Sequence, residues 1–264
     1  MVAKEKGLDK LCAGIFGTDG EESILILVDF LNATLKRAEK EKIVDVIQKQ
    51  RMPARENEGE IIELRTNTLA GEQLDIVIQI NNRKSSLRKS FYYWNEFYNR
   101  KHIEDHLLDV SKWILLSITD FTLLPQTKEY HSVFKLCETD NPLLEIGEIE
   151  LHYLELGKYK SEKNIAQMCS EEDWLSFLLW INECKENELA ELAKKSLALE
   201  LAVDSCKRVS AQEEDDLFEQ ETENGFVAQG KRRFFKLPKQ ETAEERYETQ
   251  RNAIEKAYRK GIFF

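Results

Sequence analysis

The segment EIIELRTNTLAGEQLDIVIQI, residues 60 to 80, most constrains the fold, because two strand-like runs flank one short turn around Gly71. In its last eight residues, apolar side chains occupy every second position, and successive side chains of a strand point to opposite faces of a sheet. Asp75, Val77 and Gln79 fall together on the other face. A short connector between two such runs favours a hairpin. We therefore predict two paired strands that carry a line of polar residues interrupted by a valine.

The remaining chain alternates helical and strand-like patterns, which favours a mixed α/β fold. Helices are predicted at 8–17, 21–37, 84–108 and 170–200, and further strands at 42–50, 112–121, 130–138 and 148–156. The pattern changes near Lys160. We predict a core over residues 1–160 with a mixed central sheet flanked by helices, a helical segment over 161–224, and a charged C-terminal tail helix over 225–264.

Composition and charge restrict the surroundings and partners of the chain. Among 264 residues 42% are hydrophobic, no stretch reaches the ~20 apolar residues that span a membrane, and the first residues do not read as a secretory signal. Five scattered cysteines without a C-x-x-C pair fit a reducing compartment. These features predict a cytoplasmic protein without a membrane partner.

A net charge of −11 does not favour nucleic acid by default, because phosphate binding depends on lysine and arginine. A DNA-binding function would need a local basic patch. The residues 83–89 and 231–236 are the two candidates, and solvated charged surfaces are the alternative interpretation of both.

Three polar side chains of the hairpin could carry chemistry. Glu63 lies on the first strand, and Asp75 and Gln79 lie on the second. Carboxylate oxygens are the ligands that Mg²⁺ prefers, and a bound metal lowers the pKa of a water that attacks a phosphodiester. Ordinary surface acids on a hairpin are the competing interpretation of the same spacing.

Five stretches together resemble one family. They are LDKLCAGIFG with ILVDFLNATL, the hairpin at 60–80, SFYYWNEFY at 90–98, ITDFTLLPQTKEYHSVFKL at 118–136 and EIELHYLELGKY at 148–159. The combination resembles the PD-(D/E)XK nuclease superfamily and, within it, the recombination-promoting nuclease or transposase-like family. The resemblance covers most of residues 8–160. It implies a restriction-endonuclease-like core, a DNA substrate, and Mg²⁺, or Mn²⁺ in its place, as the cofactor of an active member.

The family motif is incomplete in this chain. The resemblance places the first acidic metal ligand at Glu63 and the second, fourteen residues later, at Val77, while Gln79 keeps its place. Valine cannot bind a hard cation. In the first helix Asp9 remains, but a usual Phe-Lys pair is replaced by Cys12 and Ala13.

Three functions stay open at this point. The first is a Mg²⁺-dependent DNA endonuclease with a degraded site, in which Glu63, Asp75 and Gln79 form a shifted metal site. The second is a catalytically inactive nuclease-fold protein that binds DNA or another protein. The third is a homo-oligomer held by the charged C-terminal helix. Candidate DNA-binding residues on the predicted helix 84–108 are Lys84, Arg88, Lys89 and Tyr93.

Other chemistry finds little support in the sequence. His102 and His106 have the spacing of one helical face but no third ligand, which favours a solvated helix end. We expect His131 to serve packing or a hydrogen bond, because no Ser/Asp pair accompanies it. No Gly-rich phosphate loop is present, so we predict no nucleotide cofactor.

Overall fold

Six strands form one mixed sheet in the computed structural model, which describes residues 8–52, 59–81, 95, 112–137, 139–140, 145–160, 163–183 and 185–209. The strands are β1 (Ile43–Met52), β2 (Glu60–Thr68), β3 (Gln73–Asn81), β4 (Lys112–Thr119), β5 (His131–Cys137) and β6 (Glu145–Glu155). Their order is β1-β2-β3-β4-β6-β5. The neighbours β1, β2 and β3 are antiparallel, β3, β4 and β6 are parallel, and β5 is antiparallel to β6. The predicted mixed sheet is confirmed.

Five α-helices accompany this sheet within the described residues. They are α1 (Leu8–Phe16), α2 (Glu21–Leu35), α3 (Ser170–Asn182), α4 (Glu186–Leu192) and α5 (197–209). Single 3₁₀ turns occur at Glu39–Glu41, Leu156–Lys158 and Ile165–Gln167. In α2 the apolar residues from Ile24 to Leu35 are buried, and Glu21 and Glu22 lie in the first turn, where the helix dipole favours acids. The predicted helix 84–108 lies outside the described residues, apart from Asn95, which is helical.

One face of the sheet, which we call the helix face, packs against the helices. The alternate residues Ile76 and Ile78 of β3 belong to this main core, together with apolar residues of α1, α2 and α3. Trp174 of α3 contacts Phe30 at a ring-centroid distance of 5.4 Å and donates a hydrogen bond of 2.9 Å to Asp29. The helices after residue 163 therefore share one core with the sheet and the first two helices.

The opposite face, which we call the second face, holds a smaller apolar cluster. Its buried members are Val77, Trp113, Leu115, Leu124, Leu151 and Tyr153, with Ile61, Leu123 and Ile149 packed against them. Apart from Leu123 and Leu124, which follow β4, these residues occupy alternate positions of the strands, as the pleat requires. The hairpin thus separates its apolar and polar positions onto two sides of the sheet, as the sequence predicts.

Two glycines allow close packing around α1. A Cβ atom at Gly14 would lie 2.6 Å from Cγ2 of Val209, so α5 ends directly against α1. A Cβ atom at Gly17 would lie 2.5 Å from the backbone oxygen of Ala13.

The ammonium group of Lys49 on β1 donates hydrogen bonds to the backbone oxygens of Phe16 and Thr18 at the end of α1, and burial lowers its pKa. The turn between α1 and α2 is therefore fixed from the sheet.

The predicted helical stretch 170–200 is divided in the structure. Helix α3 ends at Asn182, and the Lys185 N–H donates a hydrogen bond of 3.1 Å to the carbonyl of Trp180. This bond spans five residues and satisfies a helix-terminal carbonyl, which is how many helices end. A second interruption at 193–196 separates α4 from α5. Periodicity predicts the helical character here but does not locate these ends.

Candidate functional site

The hairpin places the four predicted site positions on the second face. In the β2–β3 register Glu63 lies opposite Val77, Arg65 opposite Asp75, and Ile61 opposite Gln79. Residues that lie opposite each other share a face, and positions two apart on one strand do as well. Glu63, Asp75, Val77 and Gln79 are therefore neighbours, and all are buried, with exposed fractions of 7%, 1%, 2% and 0%.

Asp75 is held by an arginine directly across the hairpin. Arg65 Nε donates to Oδ1 of Asp75 at 3.0 Å, and Arg65 Nη2 donates to Oδ2 at 3.4 Å. A two-point contact of this kind engages both carboxylate oxygens. A cation that used Asp75 as a ligand would have to compete with the guanidinium group for them.

Val77 lies at the centre of the polar positions but belongs to the apolar cluster of the second face. It faces Glu63 on β2 and is next to Leu115 on β4 in the strand register. A valine side chain has no atom that binds a hard cation. An apolar side chain packed into this cluster therefore occupies the position where the family motif needs a second acid.

Gln79 and Ser117 form a buried polar row beside this valine. They are register neighbours on the parallel strands β3 and β4, and both side chains are 0% exposed. Within the described part of the chain, the amide oxygen and nitrogen of Gln79 and the hydroxyl oxygen of Ser117 have no hydrogen-bond partner. Each such buried group costs about 1–3 kcal/mol, so folding alone gives no reason for this row.

The acids of the hairpin are not joined by a third metal-binding acid, histidine or cysteine within the described residues. Across the part of the chain that the structure describes, no three His, Cys, Asp or Glu side chains are arranged to hold a metal ion. Asp75 is engaged by Arg65, and Val77 separates it along β3 from Gln79. The observed donor set therefore does not fit Mg²⁺, which needs several oxygen ligands.

The other predicted site residues are distributed differently. Asp9 lies in the first turn of α1, on the helix side of the sheet. Its charge reaches Asp120, which follows β4: burial raises the pKa of Asp120, and Asp9 adds to this rise. Lys84, Arg88, Lys89 and Tyr93, together with the basic residues 231–236, lie outside the described residues.

A comparison with sequence models of protein families gives one match that covers most of the chain. The model described as PD-(D/E)XK nuclease family transposase matches residues 13–252. The chain belongs to this family. The match confirms the resemblance, and the mixed six-stranded sheet with its helices is consistent with the restriction-endonuclease-like fold expected of a PD-(D/E)XK protein. No curated protein and no solved structure matches the chain.

PD-(D/E)XK nucleases generally use divalent metal ions and act on DNA. This family member keeps the hairpin that carries the family motif, and among its described residues no group of three His, Cys, Asp or Glu side chains could hold a metal ion. Separately, none of the described helices combines the length and apolar character that a membrane crossing requires.

Two residues of the site escape sequence reasoning. Arg65 is two positions from Glu63, so alternation places it on the same face, but its pairing with Asp75 depends on the register of the hairpin. Ser117 lies in the apolar run KWILLSIT, which has no alternation to reveal its face. Its place beside Gln79 follows only from the parallel pairing of β3 with β4.

Proposed function

We propose that this PD-(D/E)XK transposase binds DNA through its nuclease fold but has lost metal-dependent strand cleavage. The observation that carries the proposal is the packing of Val77 into an apolar cluster directly opposite Glu63. Hydrolysis of a phosphodiester at such a site needs a metal that activates water and offsets charge on the phosphate. With a valine at this position, one carboxylate ligand is missing from the place where the metal would bind.

A shifted metal site at Glu63, Asp75 and Gln79 is the rival that would preserve cleavage. Asp75 is two residues from Val77, about 7 Å along the strand at ~3.3 Å per residue. The two hydrogen bonds from Arg65 oppose this use of Asp75, because a metal would have to displace a charged donor from a buried carboxylate. The geometry therefore favours loss of cleavage over a shifted site.

DNA is proposed as the partner because it is the substrate class of the family. The net charge of −11 opposes general attraction to DNA, so binding must depend on a local group of cations. Lys84, Arg88 and Lys89, with Tyr93 as a stacking residue, remain the proposed contacts.

Replacing Val77 by glutamate tests the proposal most directly. The wild-type chain, Val77→Glu and the uncharged control Val77→Gln are compared in a nicking assay on supercoiled plasmid with Mg²⁺ or Mn²⁺. We expect nicking only with Val77→Glu, because only this variant supplies the missing carboxylate. Adding Glu63→Ala to Val77→Glu is expected to abolish the gained activity. Circular dichroism checks that each variant is folded.

Two outcomes would contradict the proposal or its stated cause. Metal-dependent nicking by the wild-type chain that is lost in both Glu63→Ala and Asp75→Ala would establish the shifted site instead. A folded Val77→Glu variant without activity would show that cleavage needs more than this carboxylate, and would remove Val77 as the sufficient cause.

DNA binding is tested separately by fluorescence anisotropy of a labelled duplex across salt concentrations. We expect affinity to fall steeply with salt, with a smaller slope in the triple variant Lys84→Gln/Arg88→Gln/Lys89→Gln, since each phosphate contact contributes to the slope. Binding that is absent, or independent of salt, would refute DNA as the partner.

A further inference from the structure

A chain of four titratable side chains lies on the helix face, away from the hairpin site. His131 Nδ1 is 2.7 Å from Glu171 Oε1, His131 Nε2 is 3.0 Å from His152 Nδ1, and His152 Nε2 is 3.4 Å from Glu150 Oε2. Both imidazole groups are buried, with side-chain exposures of 8% and 4%. The chain joins the first turn of α3 to β5 and β6.

The chain borders a cavity of about 370 Å³ at the β5 edge of the sheet. In the β5–β6 register His152 lies opposite Val133, and in the β4–β6 register it lies next to Leu116, a core residue of the helix face. The residues that line the cavity include Lys36, Arg37, Tyr130, His131, Glu150 and His152. The histidine chain is thus the wall of a cavity rather than a part of the hairpin site.

The hydrogen bonds among these four side chains determine how many ring protons they need. Each imidazole–carboxylate contact needs a hydrogen on its ring nitrogen, and the contact between the two rings needs one hydrogen shared between two nitrogens. These three contacts require three hydrogens on the four ring nitrogens. Two neutral rings carry two, which leaves one contact unmade, and two charged rings carry four, which brings two N–H groups face to face. The chain is complete only when the pair carries one positive charge.

The carboxylates at both ends are ionised, as this count assumes. The pKa of Glu150 is held well below its usual range by the hydrogen bond from His152, against the effect of burial and with further help from Lys112 and Arg37. For Glu171, burial would raise the pKa, but contacts with His131 and Lys36 outweigh it, and the pKa is lowered.

Burial and nearby positive charges oppose a second proton. Arg37 Nη2 donates to Glu150 at 2.8 Å, Lys112 contacts Glu150 at 3.0 Å, and Lys36 contacts Glu171 at 2.7 Å. The titratable groups that face the pair from the neighbouring elements are Lys36, Arg37, Glu41, Lys112, Glu129, Tyr130, Lys135, Glu150 and Glu171. Four of these are cations and four are carboxylates, so the opposition to a second proton comes from burial, from the repulsion between the two rings and from Arg37.

We propose that the Glu171–His131–His152–Glu150 chain is a proton-sensitive fastener, which joins α3 to the β5 edge while the two histidines share one positive charge and breaks when a second proton binds. The device is independent of the hairpin site and of whether the protein cleaves DNA.

The direction of the pH effect follows from His152. Burial lowers its pKa from the ordinary value of 6.5, and the neighbouring His131 lowers it further, although Glu150 acts in the opposite direction. The unfolded chain therefore binds this proton more readily than the folded chain. The stability that this second proton removes is fully present above about pH 6.5 and is lost as the pH falls below that value. A difference of one bound proton reduces the folded-to-unfolded ratio by up to about tenfold per pH unit.

Thermal unfolding between pH 7.5 and 5.5 tests the fastener in the full chain. We expect the wild-type protein to lose stability progressively below pH 6.5. The His152→Gln variant should lose much less, because it no longer contains the pair of hydrogen-bonded histidines. The double variant His102→Gln/His106→Gln removes the other two histidines and is the matched control. It should behave like the wild-type protein. Equal pH dependence of the wild-type protein and His152→Gln would overturn the proposal.

Nitrogen-15 NMR of the histidine rings gives a second test. It uses the wild-type protein alone, so it does not depend on whether a variant folds. At pH 7 the signals of His131 and His152 should correspond to three N–H groups shared by two rings. Their second protonation should coincide with the onset of destabilisation. Two neutral rings at pH 7, or two rings that titrate independently near pH 6.5 without loss of stability, would refute the fastener.

Discussion

Two buried polar pairs, one on each face of the sheet, differ in their hydrogen bonding. On the helix face, His131 and His152 bond to each other and to a carboxylate at either end. On the second face, Gln79 and Ser117 are as deeply buried, but their side-chain polar atoms have no hydrogen-bond partner among the residues that the structure describes. A buried polar group that is hydrogen-bonded is compatible with a stable fold. A buried polar group without a hydrogen bond lowers stability, so its presence needs another reason. The comparison supports interpreting the polar row at 79 and 117 as the remnant of a reaction site.

The largest expected difference between the faces comes from two adjacent leucines of β4. Leu116 belongs to the main core and Leu115 to the smaller cluster, and both are fully buried. We expect Leu116→Ala to lower the free energy of unfolding by about 4 kcal/mol and Leu115→Ala by about 2–3 kcal/mol, since the cost depends on how well the site can collapse. Urea unfolding of both variants measures this. Equal costs would show that the two faces are packed alike.

Asp75→Ala tests an acid of the second face that is paired with an arginine. Removing it leaves Arg65 without its carboxylate, but the arginine side chain is 21% exposed and can turn towards water. We expect a loss of about 2 kcal/mol, below the ~3–5 kcal/mol of a fully buried pair. Asp75→Asn keeps an oxygen acceptor for Arg65 Nε and should cost less in the same urea experiment. If both substitutions leave stability unchanged, the Arg65 contact does not hold Asp75.

The smallest expected change in the free energy of unfolding is an increase rather than a decrease. Gln79→Met replaces an unsatisfied amide by an apolar chain of similar length, and we expect it to stabilise the protein by about 1 kcal/mol. This corresponds to a rise of roughly 2–4 °C in the unfolding temperature for a chain of this size. Ser117→Ala should act in the same direction. Destabilisation by Gln79→Met, measured by calorimetry, would mean that the amide has a structural partner after all.

The hairpin is predictable from sequence because period-two alternation in residues 73–80 determines both the strand and its faces. The fold class follows from the same kind of pattern. The state of the site does not, because it depends on which residues face each other across strands. Asp75 looks available in sequence, but the register brings Arg65 against it. The histidine chain joins β5, β6 and α3, and no local pattern reports a contact between residues 131 and 171.

The close approach of Val209 to Gly14 has a consequence for how the chain reaches its native state. The main core combines residues from Leu8 at one end to Val203 at the other. Contacts between positions so far apart in sequence form only after a long loop closes, which slows folding. During synthesis, α1 and α2 emerge well before the α3 and α5 segments that cover them. The part of the apolar surface of α1 and α2 that faces these later helices therefore stays uncovered until translation has passed residue 209.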